Sequence, residues 1–285
     1  MNAKQTIEQF RIKRLPNYVV QDDEDVVFRV AFESKIPLIL KGPTGCGKTR
    51  FVEFMAHRLG LPLVTVSCHE DLTAADLVGR FLFKEDETVW QDGPLTLAVR
   101  HGGICYLDEI VEARKDTTVI IHSLTDDRRI LFIDKTGEVV RAHRNFMMVL
   151  SYNPGYQSIV KDLKQSTKQR FASINFTHPP VDIEAKIIQT ESGLGQDDSR
   201  TLAEMGSKIR QLKGFGLDEG VSSRLLVYVG RLVKGGLSPM QATRHAISQT
   251  LTDEAEVLDS IQNIARLYFG DLMDDASGEA EAKPS

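Results

Sequence analysis

Five short apolar runs punctuate the first two-thirds of the chain, at residues 38–40, 63–66, 104–107, 146–150 and 172–176. Each is near-continuous rather than alternating, the pattern of strands covered on both faces in a parallel sheet. Helical patterns fill several of the intervals. Ahead of the first run, Val26, Val27, Val30 and Ala31 recur at helical spacing, and 50–59 reads as the helix that follows it. The prediction is an α/β layer structure with right-handed crossovers.

After "THPPVD" (177–182) the pattern changes to helices only. Residues 199–212 place Leu202, Met205, Ile209 and Leu212 on one face and stop at Gly214, while 222–233 carries Leu225, Leu226, Val229, Leu232 and Val233. Ser238-Pro239 is an N-cap followed by proline at the first helical position. Thr252, Asp253 and Glu254 open a last helix bearing Val257, Leu258, Ile261, Ile264 and Leu267. The expected organisation is an N-terminal segment over 1–21, an α/β domain over 22–181, a small all-helical domain over 182–270 and a disordered acidic tail over 271–285.

The formal charge of −5 argues against a protein that lives on nucleic-acid phosphates, because such binding needs clustered Lys and Arg. Neither a long apolar stretch nor an apolar leader is present in the sequence, since "MNAKQTIEQFRIKRL" carries charges where a signal peptide would be apolar. No membrane role and a cytoplasmic location are expected. Cys46, Cys68 and Cys105 form no C-x-x-C pair, and Cys68-His69 lacks two further zinc ligands at suitable spacing, so buried reduced thiols are expected.

The chemistry begins at "LILKGPTGCGKTRF" (38–51). Gly42, Pro43, Thr44, Gly45, Cys46, Gly47, Lys48 and Thr49 fit G-x-x-x-x-G-K-[ST] between a strand and a helix that starts near Arg50. Glycines let successive backbone N–H groups converge on one anion, and the following helix adds its positive end. Lys48 would reach the β- and γ-phosphates of ATP and the Thr49 hydroxyl would ligate Mg2+. "ICYLDE" (104–109) supplies the second half: Asp108 beside magnesium, and Glu109 next to the attacking water.

Together these motifs resemble the AAA+ ATPases, which implies a P-loop NTPase sheet with helices on both faces, a helical lid, and cleavage of ATP to ADP and phosphate. "VLSYNPG" (149–155) is similar to the family's sensor 1, implying that Asn153 helps orient the water. "STKQRFASI" (166–174) resembles the arginine-finger segment, with Arg170 projecting into a neighbouring subunit's site. "GVSSRLLVYV" (220–229) resembles the sensor 2 helix, where Arg224 would meet the γ-phosphate. Two insertions refine the likeness: 79–95 resembles the helix-2 insert, and 129–146 reads as a hairpin resembling the one before sensor 1. These point to the MoxR group and within it to the CbbQ, NorQ and GvpN branch, with CbbQ the nearest likeness.

The resemblance implies a homo-oligomeric ring, commonly a hexamer, because a site needing Arg170 from a neighbour is incomplete in one chain. It also implies an adaptor with a von Willebrand A domain and a protein client. Rubisco, freed of inhibitory sugar phosphates, is the client in the CbbQ reading, and nitric oxide reductase in the NorQ alternative. Phe81, Phe83, Val89 and Trp90 are candidates for touching the client from the channel. A small-molecule kinase and a nucleic-acid motor are rivals on the same phosphate loop. The kinase has little use for adjacent Asp108 and Glu109, and the net charge opposes the motor.

Overall fold

The computed structural model of the chain describes residues 7–84, 86–154, 163–214, 216–217 and 219–270. The tail 271–285, expected from its composition to be disordered, lies outside the described residues, as do residues 1–6 and Gly155 of the sensor-like motif. Two compact units make up the chain: Met1–Pro43 with Gly47–Phe176, and Thr177–Ser285 with Thr44–Cys46.

The first unit opens with helix α1 (Glu24–Glu33), which carries Glu24 and Asp25 in its first turn and buries Phe28 and Ala31. Acids there complement the positive helix end. Strand β1 (Leu38–Lys41) leads through the glycine-rich loop into α2 (Lys48–Leu59), which buries Phe51, Val52, Phe54, Met55 and Ala56. Gly60 ends α2 at φ +62°, a left-handed value that glycine adopts without strain. Next come β2 (Leu63–Ser67) and α3 (Ala74–Val78), the latter started by a reciprocal capping box between Thr73 and Asp76. A hairpin of β3 (Gly79–Lys84) and β4 (Glu87–Asp92) precedes α4 (Pro94–His101) and β5 (Gly103–Asp108). Helix α5 (Lys115–His122) is followed by a second hairpin, β6 (Ile130–Ile133) and β7 (Glu138–Arg141). Strand β8 (Phe146–Tyr152), short helix α6 (Gln165–Lys168) and β9 (Ala172–Asn175) complete the unit.

Five strands form one sheet in the order β2-β5-β8-β1-β9, and every pairing in it is parallel. Ile104, Cys105, Tyr106 and Leu107 of β5 are all fully buried, so consecutive side chains pointing to opposite faces both meet protein. That explains the unbroken apolar runs. The two hairpins stand outside this sheet as separate two-stranded pieces. In the first, Phe81 pairs with Trp90 and Leu82 with Val89; in the second, Phe132 faces Val139.

One side chain ties the hairpins together. Arg100 of α4 donates from Nε to Asp92 of the first hairpin at 3.0 Å and from both terminal nitrogens to Glu138 of the second, at 2.6 and 2.9 Å. The Trp90 indole N–H donates to the other oxygen of Asp92 at 2.8 Å. Trp90 is therefore half-buried and braced, its ring edge-on to Phe81 at 5.1 Å, while Phe81, Phe83 and Val89 are exposed.

The second unit is helical: α7 (Val181–Ser192), α8 (Gln196–Arg210), α9 (Ser223–Lys234), α10 (Pro239–Thr243), a π-turn (Arg244–Ser248), α11 (Gln249–Leu251) and α12 (Ala255–Phe269). Ile188, Leu202, Met205, Ile209, Leu226, Val229 and Ile261 meet in its core. Helix α7 is not evident from the sequence pattern, because it buries only Glu184 and Ile188 and its apolar stripe is thin. Its Glu184 is fully buried and receives both terminal nitrogens of Arg210, at 2.7 and 2.6 Å, together with the Ser223 hydroxyl. Arg210 also donates to the Val221 carbonyl at 2.8 Å, so the start of α9 is pinned to α7 and α8.

Candidate active site

Strand order decides what meets at the carboxyl edge of the sheet. Because β8 lies between β1 and β5, the loop after β1, the acids after β5 and the segment after β8 emerge side by side. Leu40 is in register with Ser151, and Leu107 with Leu150, which sets Asp108 level with Ser151.

The loop after β1 takes backbone that side chains resist. Gly45 and Gly47 have φ of +69° and +103°, and a Cβ on Gly42 would stand 2.5 Å from the Phe176 carbonyl oxygen. Gly47 is the N-cap of α2, so no cap side chain occupies the first-turn N–H groups of Lys48, Thr49 and Arg50. The Lys48 ammonium donates to the carbonyls of Gly42 at 2.7 Å and Pro43 at 2.9 Å, folded over its own loop. Arg50 is exposed and pairs with Glu53 at 3.5 Å, one turn along α2. Thr44 lies at the exposed tip of the loop and Cys46 is buried.

Thr49 and Asp108 are in direct contact: the Thr49 hydroxyl donates to Asp108 Oδ2 at 3.3 Å. The opposite oxygen, Oδ1, accepts the Tyr106 phenol at 2.7 Å and the Ser151 hydroxyl. Ser151 Oγ in turn accepts the backbone N–H of Glu109 at 3.1 Å. Burial, and then the charge of Asp108, push the Tyr106 phenol well above its ordinary range, so it keeps its proton and acts as a donor. Glu109 is exposed, at φ +56°, a left-handed value uncommon outside glycine. Asn153 follows β8 directly and is partly exposed on the same edge.

The two predicted arginines belong to other elements. Arg170 follows α6 with its side chain 35% exposed, donating to the His122 carbonyl at 3.2 Å and lying 3.6 Å from Asp126. The His122 ring bonds the Thr167 hydroxyl at 2.9 Å. Burial, then the charges of Arg170 and Lys164, depress the His122 pKa and favour the neutral ring. Arg224 is exposed in the first turn of α9, in the helical unit. The thiols of Cys68 and Cys105 are raised by burial to about 12, which favours the protonated form of both at neutral pH.

Sequence reasoning missed Tyr106, Ser151, His122 and Asp126. A signal existed for the first: Tyr106 is a hydroxyl in an aliphatic strand, two residues before Asp108, and a period of two puts both on one side. Ser151 holds the matching place before Asn153. Asp126 and His122 had none, since only folding brings α5 to α6.

The residues present fit a magnesium-bound triphosphate. Oxygen donors of Thr49 and Asp108 suit a hard cation, and the glycine loop, capless helix start and Lys48 suit an anion. A nucleotide-cleaving P-loop enzyme is the class that this sheet order and edge define.

The comparisons with known proteins carry this further. Residues 37–171 match the family described as AAA domain (dynein-related subfamily), and 184–268 match CbbQ/NirQ/NorQ C-terminal. Protein CbbQ of Hydrogenophilus thermoluteolus is 54% identical, covering 92% of this chain and 98% of its own. Protein NorQ of Paracoccus denitrificans is 56% identical over 90% and 94%, and the denitrification regulatory protein NirQ of Stutzerimonas stutzeri 47% identical over 90% and 93%. A solved structure, Thermotoga maritima RuvB P216G mutant, shares the fold at TM-score 0.54 and 14% identity, over 89% of this chain and 73% of that one. The chain is an AAA+ ATPase. It belongs to the CbbQ/NirQ/NorQ family. Among the described residues, no helix is long and apolar enough to cross a membrane.

Proposed function

We propose that this ATPase is a mechanochemical chaperone, cleaving ATP at sites shared between copies in a ring, commonly of six, and spending the energy on remodelling another protein. The observation that carries the catalytic part is the contact of Thr49 with Asp108 beside Glu109, which is exposed and left-handed. Lys48 and the first-turn N–H groups of α2 bind the β- and γ-phosphates, Thr49 and Asp108 hold magnesium, Glu109 takes the proton of the attacking water, and Asn153 orients it. Magnesium, when bound, neutralises charge on the phosphates. Arg170 is the finger supplied to a neighbour, and Arg224 the lid arginine for the γ-phosphate, as the family resemblance implies.

The client reading follows the CbbQ likeness: with an adaptor bearing a von Willebrand A domain, the ring releases inhibitory sugar phosphates from Rubisco in the cytoplasm. The exposed Phe81, Phe83 and Val89 support contact with a client, whereas Trp90 is a brace for the hairpin. A second reading, maturation of nitric oxide reductase, is favoured by the NorQ relative at 56% identity.

The test mixes variants. Arg170→Ala and Lys48→Ala rings should each be dead, by about a hundredfold or more, yet mixed rings should regain part of the turnover because their defects fall in different composite sites. No recovery in demonstrably mixed rings sinks the shared site. Co-purification with the adaptor, then assay on sugar-phosphate-blocked Rubisco, separates the clients. Failure there, with activation of nitric oxide reductase, selects the second reading.

A further inference from the structure

Asp108 is more tightly furnished than magnesium ligation by itself requires. Three hydroxyls from three elements converge on its carboxylate: Thr49 of α2 on Oδ2, and Tyr106 of β5 and Ser151 of β8 on Oδ1. The protons can be counted. Tyr106 and Ser151 each spend their single O–H on Oδ1, which leaves Oδ2 as the oxygen facing Thr49. Ser151 has a lone pair left, and the Glu109 N–H uses it at 3.1 Å. One serine therefore holds the carboxylate of one acid and the backbone of the next, where that backbone is left-handed.

Tyr106 has a cost that packing does not explain. It is among the largest fully buried side chains of the described residues, flanked in its strand by Cys105 and Leu107, where phenylalanine would fill the same space with no polar atom. A buried hydroxyl is tolerated only when bonded, and this one donates to Asp108 at 2.7 Å. An aspartate's terminal torsion is broad and two-fold, so without such donors the carboxylate turns freely.

We propose that Tyr106 and Ser151 are positioning residues that fix the Asp108 carboxylate for magnesium, and that Ser151 also sets the Glu109 backbone, so that the metal side and the water side of the site are aligned by one hydroxyl. This rests on the reading of Thr49 and Asp108 as the metal site. Neither residue touches nucleotide in this scheme: Tyr106 acts through Asp108, and Ser151 through Asp108 and the Glu109 backbone. Outer-shell donors of this kind hold metal affinity to a degree that substitution exposes, about 10-fold to 100-fold.

The experiment uses the full chain with ADP and Mn2+ as the probe, read by the electron paramagnetic resonance of free against bound Mn2+. Tyr106→Phe keeps the ring and its volume, and Ser151→Ala is a second, independent variant. Each should weaken Mn2+ binding to the ADP-loaded protein by about 10-fold or more, and raise the half-saturating Mg2+ for hydrolysis by a similar factor. ADP affinity in excess chelator should stay within about twofold of the parent, a difference below half a kcal/mol. A purely structural tyrosine predicts the opposite split: altered thermal stability with unchanged Mn2+ affinity. Asp108→Asn separates the two ideas. If it loses Mn2+ while both hydroxyl variants bind it like the parent, the positioning proposal is overturned and the metal site stands. If Asp108→Asn itself binds Mn2+ like the parent, the metal reading falls and takes the proposal with it.

Discussion

At Glu109 the chain accepts a backbone conformation that costs on the order of 1 kcal/mol for a residue with a side chain, and it does so one position after a fully paired strand. The residue is exposed while its N–H stays anchored on Ser151. Glu109→Gln keeps the size and the backbone and removes the base. Turnover should fall by about a hundredfold or more with ATP still bound, checked by single-turnover hydrolysis beside equilibrium binding. Substantial remaining hydrolysis would take the water-activating role away from this residue. Asp108 and Glu109 stand out in the sequence as two acids closing an apolar strand downstream of a phosphate loop, the pattern that the proposed magnesium and water roles call for. Of the hydroxyls bonded to Asp108, Tyr106 leaves a trace in the strand period, whereas Ser151, 43 residues away, looks like an ordinary strand residue until the register is known.

Among the elements, the two hairpins show how a local pattern leaves a linkage unstated. Each can be read as an insertion with alternating apolar positions, but Arg100, on the helix between them, joins the carboxylates of both. The pair with Glu138 is two-pronged and half-shielded, so it exceeds the usual small return of a surface ion pair. Glu138→Gln, a change made in the second hairpin, should speed amide hydrogen exchange in the first, over 79–92, by severalfold, on the order of 1 kcal/mol of local stability. If exchange quickens only around residue 138, the hairpins are independent and Arg100 is an ordinary surface contact.

For the molecule as a whole, the division into two units sets where stability is stored. The helical unit keeps a buried ion pair between α7 and α8, with Glu184 fully buried and the Arg210 side chain 14% exposed. Removing one partner strands the other's charge, so Glu184→Ala should lower unfolding stability by about 3 kcal/mol, with protection lost first across α8 and α9. Denaturant unfolding with hydrogen exchange checks both, and a loss confined to the first unit would contradict it. The sequence by itself determined the sheet's strands, the phosphate loop, the two acids and the helical character of the second unit, because each follows from local periodicity, glycine backbone freedom or residue chemistry within a few positions. The roles of Arg170 and Arg224 rest on likeness alone. Only the tertiary structure decided that Tyr106 and Ser151 share one carboxylate with Thr49, that His122 and Asp126 hold Arg170, that Glu184 meets Arg210, and that Arg100 spans two hairpins. Tyr106 and Asp108 meet through the period of their own strand, but the other partners lie apart in the chain, and strand register in the first unit and helix packing in the second, which no local pattern encodes, bring them within hydrogen-bonding reach.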